Sequence, residues 1–498
     1  MLRRDFLKLS ALSVLSASSS AFSAPDAKAV SGRKPNFIHI LADDMGWGDI
    51  ACFGHSKVKT PYLDKMAREG ISFTNFYVNG PSCSPSRVGI VTGQFPASYR
   101  VWGGLSGNPE VNILNDMIDY LPTDAPNMMK IFNDNGYKIG HFGKWHLGHT
   151  PDAPPPSEYG IDQYRRRQDF GHSGGPVWTP QDWQHLRERV DGWDDDDWQP
   201  YSTELIIDEG VRFIEEFKDE PFCLNLWFTD PHAQLNPTLG QMEEYKEYNP
   251  DAPEGDNFKS AEAVYYSVIT NMDKQIGRIL NKIKRLGLDN DTIITFTSDN
   301  GPEYICIGIG EAAHSGVGTP GPFRGQKHTL YDGGIRTPLI VRWAGHTPKG
   351  IVDDTTLMAG SDLLPTMCEI AEIDLPQEIT EKFDGIDVSQ AWFGTPIEER
   401  KPVMWEIRGM ANGDYSARSP ALAIRWKQWK LLVNQDSSRL ELYDILSDTL
   451  EVNNVADKYP DIASSLSQQL LAWSNSNPWT KAPLANVGQG PKEYPWPE

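Results

Sequence analysis

The sequence predicts an α/β fold, with a large, mostly parallel sheet sandwiched by helices and a smaller C-terminal subdomain of antiparallel sheet plus helix. Three observations carry this. From residue 36, short apolar runs of strand length alternate with segments of helical periodicity, the pattern of a sheet built through helical crossovers. Polar residues follow several of those runs, and open α/β sheets place ligands at the carboxyl ends of their strands. Beyond about residue 395 the texture changes to short strands and turns.

Residues 36–41 form the first strand and deliver Asp43 and Asp44 into a loop. Thr60-Pro61 opens a helix over 62–68, with threonine as cap and proline at the first helical position. A strand over 71–77 leads to a helix beginning after Cys83, and a helix over 128–135 leads to a strand over 138–142. Then come a helix over 204–218, a strand over 222–228, a long helix over 264–283 and a strand over 292–297 that ends at Asp299-Asn300. The segment 332–338, Asp-Gly-Gly-Ile-Arg-Thr-Pro, reads as a glycine-rich loop able to approach a ligand. Short strands over 422–426, 429–433 and 440–443 and an amphipathic helix over 462–473 complete the chain. Two irregular stretches, 100–123 and 151–200, read as rims of a substrate cleft. The second holds Arg165-Arg166-Arg167, which either contacts an anionic polymer or lies on a helix surface. It also holds Asp194 to Asp197, either a solvated acidic turn or a calcium site.

The 498 residues carry 46 Lys and Arg against 68 Asp and Glu, a net charge of −22, which excludes nucleic acid or an anionic membrane as a partner of the whole surface. An acidic chain that handles an anion must gather its cations into one cleft. Arg3-Arg4 ahead of a short apolar, Ser/Ala-rich stretch resembles a twin-arginine export signal over residues 1–29. No run approaches the ~20 apolar residues of a membrane helix, so the expectation is a periplasmic or secreted protein without stable membrane insertion. The five cysteines, Cys52, Cys83, Cys223, Cys306 and Cys368, contain no CxxC pair, and no disulfide framework is indicated. Cys223, inside an apolar run, reads as a buried strand thiol.

The chemistry concentrates at predicted strand ends. Asp43, Asp44, Asp299 and Asn300 make an all-oxygen set suited to Ca²⁺ or Mg²⁺ rather than zinc. Gly143-Lys144-Trp145-His146 places an ammonium and an imidazole two residues apart, on one side if the backbone stays extended. His141, His146 and His149 lack the cysteine or spaced acidic partner that a zinc cluster needs. His232 follows another strand, and Lys327 and Arg336 flank the glycine-rich segment, where both also read as surface charges.

Cys83-Ser84-Pro85-Ser86-Arg87, with these elements in this order, resembles the formylglycine-dependent type I sulfatases of the alkaline phosphatase superfamily, from about residue 35 to the C-terminal end. The resemblance implies a catalytic domain over 35–395 and a subdomain over 396–498. It implies that Cys83 is oxidised to formylglycine by a maturation enzyme, and that Asp43, Asp44, Asp299 and Asn300 hold one calcium ion beside it. Arg87 and Lys144 would stabilise the aldehyde hydrate, His146 would take a proton from it, and His232 and Lys327 would hold sulfate oxygens or protonate the leaving alcohol. The family usually has glutamate at the position of Asp332, an apolar residue at Thr337 and a proline near Ala233-Gln234. The expected activity is hydrolysis of sulfate monoesters on a sulfated carbohydrate. Its rivals are a phosphoester or phosphonate hydrolase on the same scaffold and a glycan-binding homologue whose Cys83 stays a thiol.

Overall fold

The computed structural model describes residues 33–166, 202–232, 235, 237–248, 260–303, 312–397, 399–408 and 419–480. Nine strands form one sheet: β1 (Asn36–Ala42), β2 (Ile71–Tyr77), β3 (Lys138–Gly143), β4 (Gln163–Arg166), β5 (Phe222–Trp227), β6 (Thr292–Ser298), β7 (Arg336–Trp343), β8 (Ile351–Asp353) and β9 (Met358–Ala359). Their order is β4-β3-β5-β1-β6-β7-β2-β8, with β9 beside β2. Every pairing is parallel except the two made by β7, which runs against β6 and β2.

Strand β1 shows why the sheet forms. Phe37 and Leu41 point into one core and Ile38, Ile40 and Ala42 into another, so both faces bury apolar side chains and the run reads as continuously apolar. Each fully buried Leu, Ile or Phe contributes ~1.5–3 kcal/mol. Helices Pro61–Glu69, Ser202–Glu216 and Ala261–Arg285 cover one face through Leu63, Ile206 and Ile276. Helices Cys83–Thr92, Met128–Asp134 and Leu363–Ile370 cover the other through Ile90, Met128 and Leu363. Cys223 is buried on β5, as expected. A separate antiparallel sheet comprises β10 (Val403–Glu406), β11 (Leu422–Trp426), β12 (Trp429–Val433) and β13 (Glu441–Asp444), in that order. Helix Pro460–Ser476 packs Ala463, Leu466 and Leu470 onto Leu422 and Leu431 of this sheet.

The structure corrects several local expectations. Thr60 stands at the N-cap with Pro61 first in the helix, as expected, but its side chain bonds no helix amide; it accepts a hydrogen bond from the Ala51 amide and donates to Asp64. Asp273 of the long helix instead accepts the Tyr62 and Leu63 amides at 3.1 and 2.7 Å. The 332–338 segment is not a loop throughout: Asp332–Ile335 is one helical turn, and Arg336 begins the eight-residue strand β7. Glycines masked the strand because they stand immediately before it. Arg165 and Arg166 lie on edge strand β4 rather than on a helix. The irregular stretch 100–123 contains the short helix Pro109–Leu114, capped by the Asn108 side chain. The export signal, Arg167, Asp194 to Asp197, Ala233-Gln234 and Cys306 lie outside the described residues. Among the described residues, no helix is long and apolar enough to cross a membrane.

Candidate active site

Strand register brings distant residues together. Ala42 of β1 pairs with Ser298 of β6, so Asp43 and Asp299 leave adjacent parallel strands side by side, and the Asp299 amide donates to the Ala42 carbonyl at 3.1 Å. Gly143 of β3 and Leu41 of β1 both pair with Trp227 of β5, which brings Lys144 and the turn to His232 to the same edge. Because β7 alone runs the other way, it is its starting end, just after Lys327, that reaches this edge. Asp44 takes a left-handed backbone conformation, φ 63°, where the chain turns sharply out of β1.

Cys83 is the first residue of its helix, and the motif around it is a packing arrangement. Ser84 Oγ donates to the His146 carbonyl at 2.7 Å and accepts from the Leu105 amide, while Ser86 Oγ donates to the Gly80 carbonyl. Arg87 lies one turn on, on the same helix face as Cys83. Its Nε and Nη2 donate to Asp299 Oδ2 at 3.1 and 2.8 Å, its Nη1 to the Lys144 carbonyl at 2.6 Å, and its guanidinium lies 5.0 Å from the Trp227 ring centre.

Three buried carboxylates and three cations interlock around the thiol. Lys144 Nζ donates to both Asp43 oxygens, at 2.8 and 2.6 Å, and to Cys83 Sγ at 3.1 Å. Cys83 Sγ is 3.4 Å from Asp43 Oδ1 and 4.0 Å from Asp44 Oδ1. Lys327 Nζ bridges Asp44 Oδ2 at 2.5 Å and Glu303 Oε2 at 2.9 Å, and His232 Nε2 lies 3.5 Å from Asp44 Oδ2. Asn300 Nδ2 donates to Asp44 Oδ1 at 2.8 Å. At 6 and 8 % exposure, Lys327 and Arg336 are buried rather than surface charges.

His146 sits apart from this knot. Positive φ at Gly143 and His146, 113° and 55°, bends the backbone after β3, so Lys144 and His146 do not project together as an extended chain would require. The His146 ring faces the Leu105 carbonyl, with Nε2 at 3.1 Å, and lies 4.7 Å from the His149 ring centre. His141 packs edge-on to Trp145 and Trp227, and the three histidines form no metal-ligating group among the described residues.

Burial governs the electrostatics. It would raise the Asp43 and Asp44 carboxyls, but Lys144 beside Asp43 and Lys327 beside Asp44 reverse this, leaving Asp43 well below its ordinary value and Asp44 at about 2. For Asp299, burial and the neighbouring Asp43 outweigh Arg87, and its pKa stands at about 6. Burial pushes the Cys83 thiol well up despite Lys144, so the unmodified side chain is a poor thiolate nucleophile. Burial also lowers His232 to about 4, and His146 falls well below its usual value through burial and Lys144.

The donor set fits a divalent cation. Asp43, Asp44, Asp299 and Cys83 offer ligand atoms that all lie within 4.8 Å of one another. Asn300 Oδ1 is buried and accepts no hydrogen bond, although the same side chain donates through Nδ2; an oxygen left in that condition is matched to a cation rather than a donor. Sequence reading missed Glu303, the second partner of Lys327. Its signal was present, since it stands in the turn that begins at Asp299-Asn300. It also missed Asp49, which accepts the Gly46 and Thr319 amides and the Tyr265 hydroxyl and so braces the turn carrying Asp43 and Asp44. Trp102, in the rim stretch 100–123, is 3 % exposed and donates to the Asp116 carbonyl.

Comparison with known proteins agrees with this geometry. The Sulfatase family model matches residues 35–373, and that of the N-sulphoglucosamine sulphohydrolase C-terminal region matches 323–476. The chain is 27 % identical to the N-acetylgalactosamine-6-O-sulfatase of Bacteroides thetaiotaomicron, covering 88 % of this chain and 93 % of that protein. It is 28 % identical to the ulvan-active sulfatase of Formosa agariphila, over 85 and 78 %. The crystal structure of Ps i-CgsB in complex with k-i-k-neocarrahexaose superimposes with a TM-score of 0.71 at 25 % identity, covering 90 % of this chain and 95 % of that one. The phosphonate monoester hydrolase of Agrobacterium radiobacter, at 20 % identity and a TM-score of 0.62 over 89 and 96 %, shares the fold. The chain belongs to the sulfatase family, the sulfuric ester hydrolases of the alkaline phosphatase superfamily.

Proposed function

We propose that this protein is an exported, calcium-dependent sulfatase that removes sulfate from a sulfated carbohydrate through a formylglycine hydrate at position 83. The observation that carries the reading is the position of Cys83 Sγ, 3.1 Å from Lys144 Nζ and 3.4 Å from Asp43 Oδ1, inside a knot of buried charges. A raised thiol pKa argues that cysteine itself is not the working group. The carbohydrate class is supported by relatives named for N-acetylgalactosamine and ulvan and by the neocarrahexaose complex. Export is supported by Arg3-Arg4 and the short apolar stretch behind it.

A sulfate ester is tetrahedral, anionic and poorly electrophilic, so the site must supply positive charge where oxygens crowd around sulfur. In this chain Arg87 pairs with Asp299, Lys144 with Asp43 and Lys327 with Asp44, which leaves the three carboxylates and three cations balanced. Asp43, Asp44, Asp299 and Asn300 would hold a calcium ion, which would supply the surplus positive charge that an anionic ester requires. Arg87 and Lys144 orient the hydrate of the aldehyde. One of its two oxygens would bond to sulfur as its proton passes to Asp299, whose carboxyl pKa stands at about 6. The bond from sulfur to the alcohol oxygen would break, and the alcohol would leave with a proton from Lys327 while His232 holds a sulfate oxygen. His146, whose Nδ1 accepts no hydrogen bond while Nε2 faces the Leu105 carbonyl, would then take the proton of the second hydroxyl, the role the family resemblance implies; the carbon–oxygen bond to sulfate would break and the aldehyde would re-form. Water regenerates the hydrate. A single hydroxyl, as in serine, has no such exit.

Turnover of matched aryl sulfate and aryl phosphate tests the reaction class. The expected result is faster sulfate hydrolysis, and faster phosphate hydrolysis overturns the reading. Release of sulfate from a panel of sulfated oligosaccharides tests the substrate class, with no release from any of them counting against carbohydrate.

A further inference from the structure

A second buried charge cluster lies outside the site, around Asp332. Lys430 of β12, fully buried, donates to Asp332 Oδ1 at 2.6 Å and pairs with Glu451 Oε1 at 2.8 Å. Glu451 Oε2 accepts the Asp332 amide at 2.6 Å. Asp332 Oδ2 accepts from Tyr77 Oη at 2.8 Å and from Arg336 Nη1 at 3.2 Å. One carboxylate therefore ties the end of β2, the start of β7 and the small sheet.

Each tied segment continues into the site. Beyond Tyr77 the chain reaches Cys83 within six residues, and the Val78 amide donates to the Ile335 carbonyl at 2.8 Å. Next to Asp332, the Gly334 carbonyl accepts the Gly301 amide at 3.0 Å, directly after the ligand-type Asn300, and a Cβ on Gly301 would lie 1.9 Å from the Gly333 carbonyl oxygen. The Gly333 amide donates to the Arg324 carbonyl at 2.7 Å, and Arg324 Nη1 donates to the Glu451 carbonyl at 2.7 Å. Between Arg324 and Asp332 stands Lys327, whose amide donates to the Pro302 carbonyl at 3.0 Å. The contacts leave the Asn300 turn and the Lys327 loop little room to move apart from the cluster.

We propose that Lys430 and Glu451 of the small sheet are positioning residues for the reaction, acting through Asp332 to set Asn300 and Lys327 at the metal and sulfate position. This rests on the sulfatase reading, and it gives the C-terminal sheet a part in the chemistry that neither the strand-end motif nor the metal ligands assign. Residues that orient metal ligands typically change metal affinity or activity ~10–100-fold when removed.

The test measures calcium affinity by titration calorimetry, KM and kcat on an aryl sulfate, and melting temperature, for the wild type, Lys430→Met, Glu451→Ala, Glu451→Gln and the double variant Lys430→Met/Glu451→Gln. Calcium Kd and KM should rise about tenfold or more in Lys430→Met and Glu451→Ala, and stay near wild type in Glu451→Gln, which keeps an acceptor for the Asp332 amide. The double variant removes one charge of each sign and leaves Asp332 paired with Arg336, so its melting temperature should recover while its calcium affinity stays weakened. A double variant with wild-type calcium affinity and KM overturns the proposal and makes the cluster purely structural. If Lys430→Met does not fold, the Glu451 pair and the double variant decide. A wild type that binds calcium but turns over no sulfate ester sinks the sulfatase reading alone, because the calcium affinities still judge the clamp.

Discussion

Two buried ion clusters lie along the same chain segments, and they differ in what they leave unspent. Around Asp332 each charge meets its opposite: Lys430 lies between Asp332 and Glu451, and Arg336 and Tyr77 share the second oxygen of Asp332. Around Cys83 the charges also pair, yet Asn300 Oδ1 accepts nothing, the thiol sits against a lysine, and His232 keeps 26 % of its side chain exposed. Burial of charge alone does not mark a site, since both clusters show it. An acceptor oxygen left without a donor, beside a part-exposed histidine, does.

Breaking the Cys83 cluster should have the largest effect. Cys83→Ala should cost on the order of 10⁴-fold or more in kcat, as removal of a covalent nucleophile does elsewhere, while calcium affinity and melting temperature hold; retained turnover would refute the mechanism. Mass spectrometry of the peptide spanning Cys83, from protein made in its native host, should show the aldehyde in place of the thiol. Chelation should abolish turnover, and added calcium should restore it. Lys327→Ala should lower kcat by roughly 10²–10³-fold, the usual loss for one group that stabilises developing charge; a change confined to KM would make Lys327 only a binding residue.

The Asp332 cluster answers in stability first. Lys430→Met strands two carboxylates and should cost ~3–5 kcal/mol of unfolding free energy, measured by denaturant titration, whereas removing both partners of the pair should cost much less. The smallest effect concerns Asp49, which burial raises to about 7 against its three hydrogen-bond donors. Its folded pKa lies above the ordinary 3.8, so the folded state holds the proton more tightly. Its contribution to stability is therefore fully present below about 4 and declines as pH rises towards 7, by at most about 1.4 kcal/mol per pH unit. Asp49→Asn should flatten that part of the curve of melting temperature against pH. An unchanged slope would mean that Asp49 ionises normally.

What was legible in the sequence follows from range. The strands of the parallel sheet announced themselves because both faces are buried and their runs are continuously apolar, as in Asn36–Ala42 and Thr292–Ser298. Strand β7 did not, since its apolar stretch is introduced by Gly333-Gly334 and carries Arg336 and Pro338 at its start, residues that read locally as a loop. The residues gathered around Cys83 were legible by type and position at strand ends, but the geometry of His146 was not, because two positive φ angles after β3 cannot be read from an extended-strand argument. Lys430 and Glu451 left no signal: a lysine in a short strand and a glutamate in a turn look solvated until the fold buries them.

The late position of Asp299 and Lys327 in the chain has a consequence in time. Asp43, Cys83, Arg87 and Lys144 all leave the ribosome before Asp299 and Lys327, which close the far wall of the pocket. At ~5–20 residues per second, the interval between Cys83 and Lys327 is roughly tens of seconds. In the finished protein Cys83 is 4 % exposed, so on the proposed formylglycine reading an enzyme that oxidises this thiol would have its opening during synthesis and lose it once Asp299 and Lys327 dock.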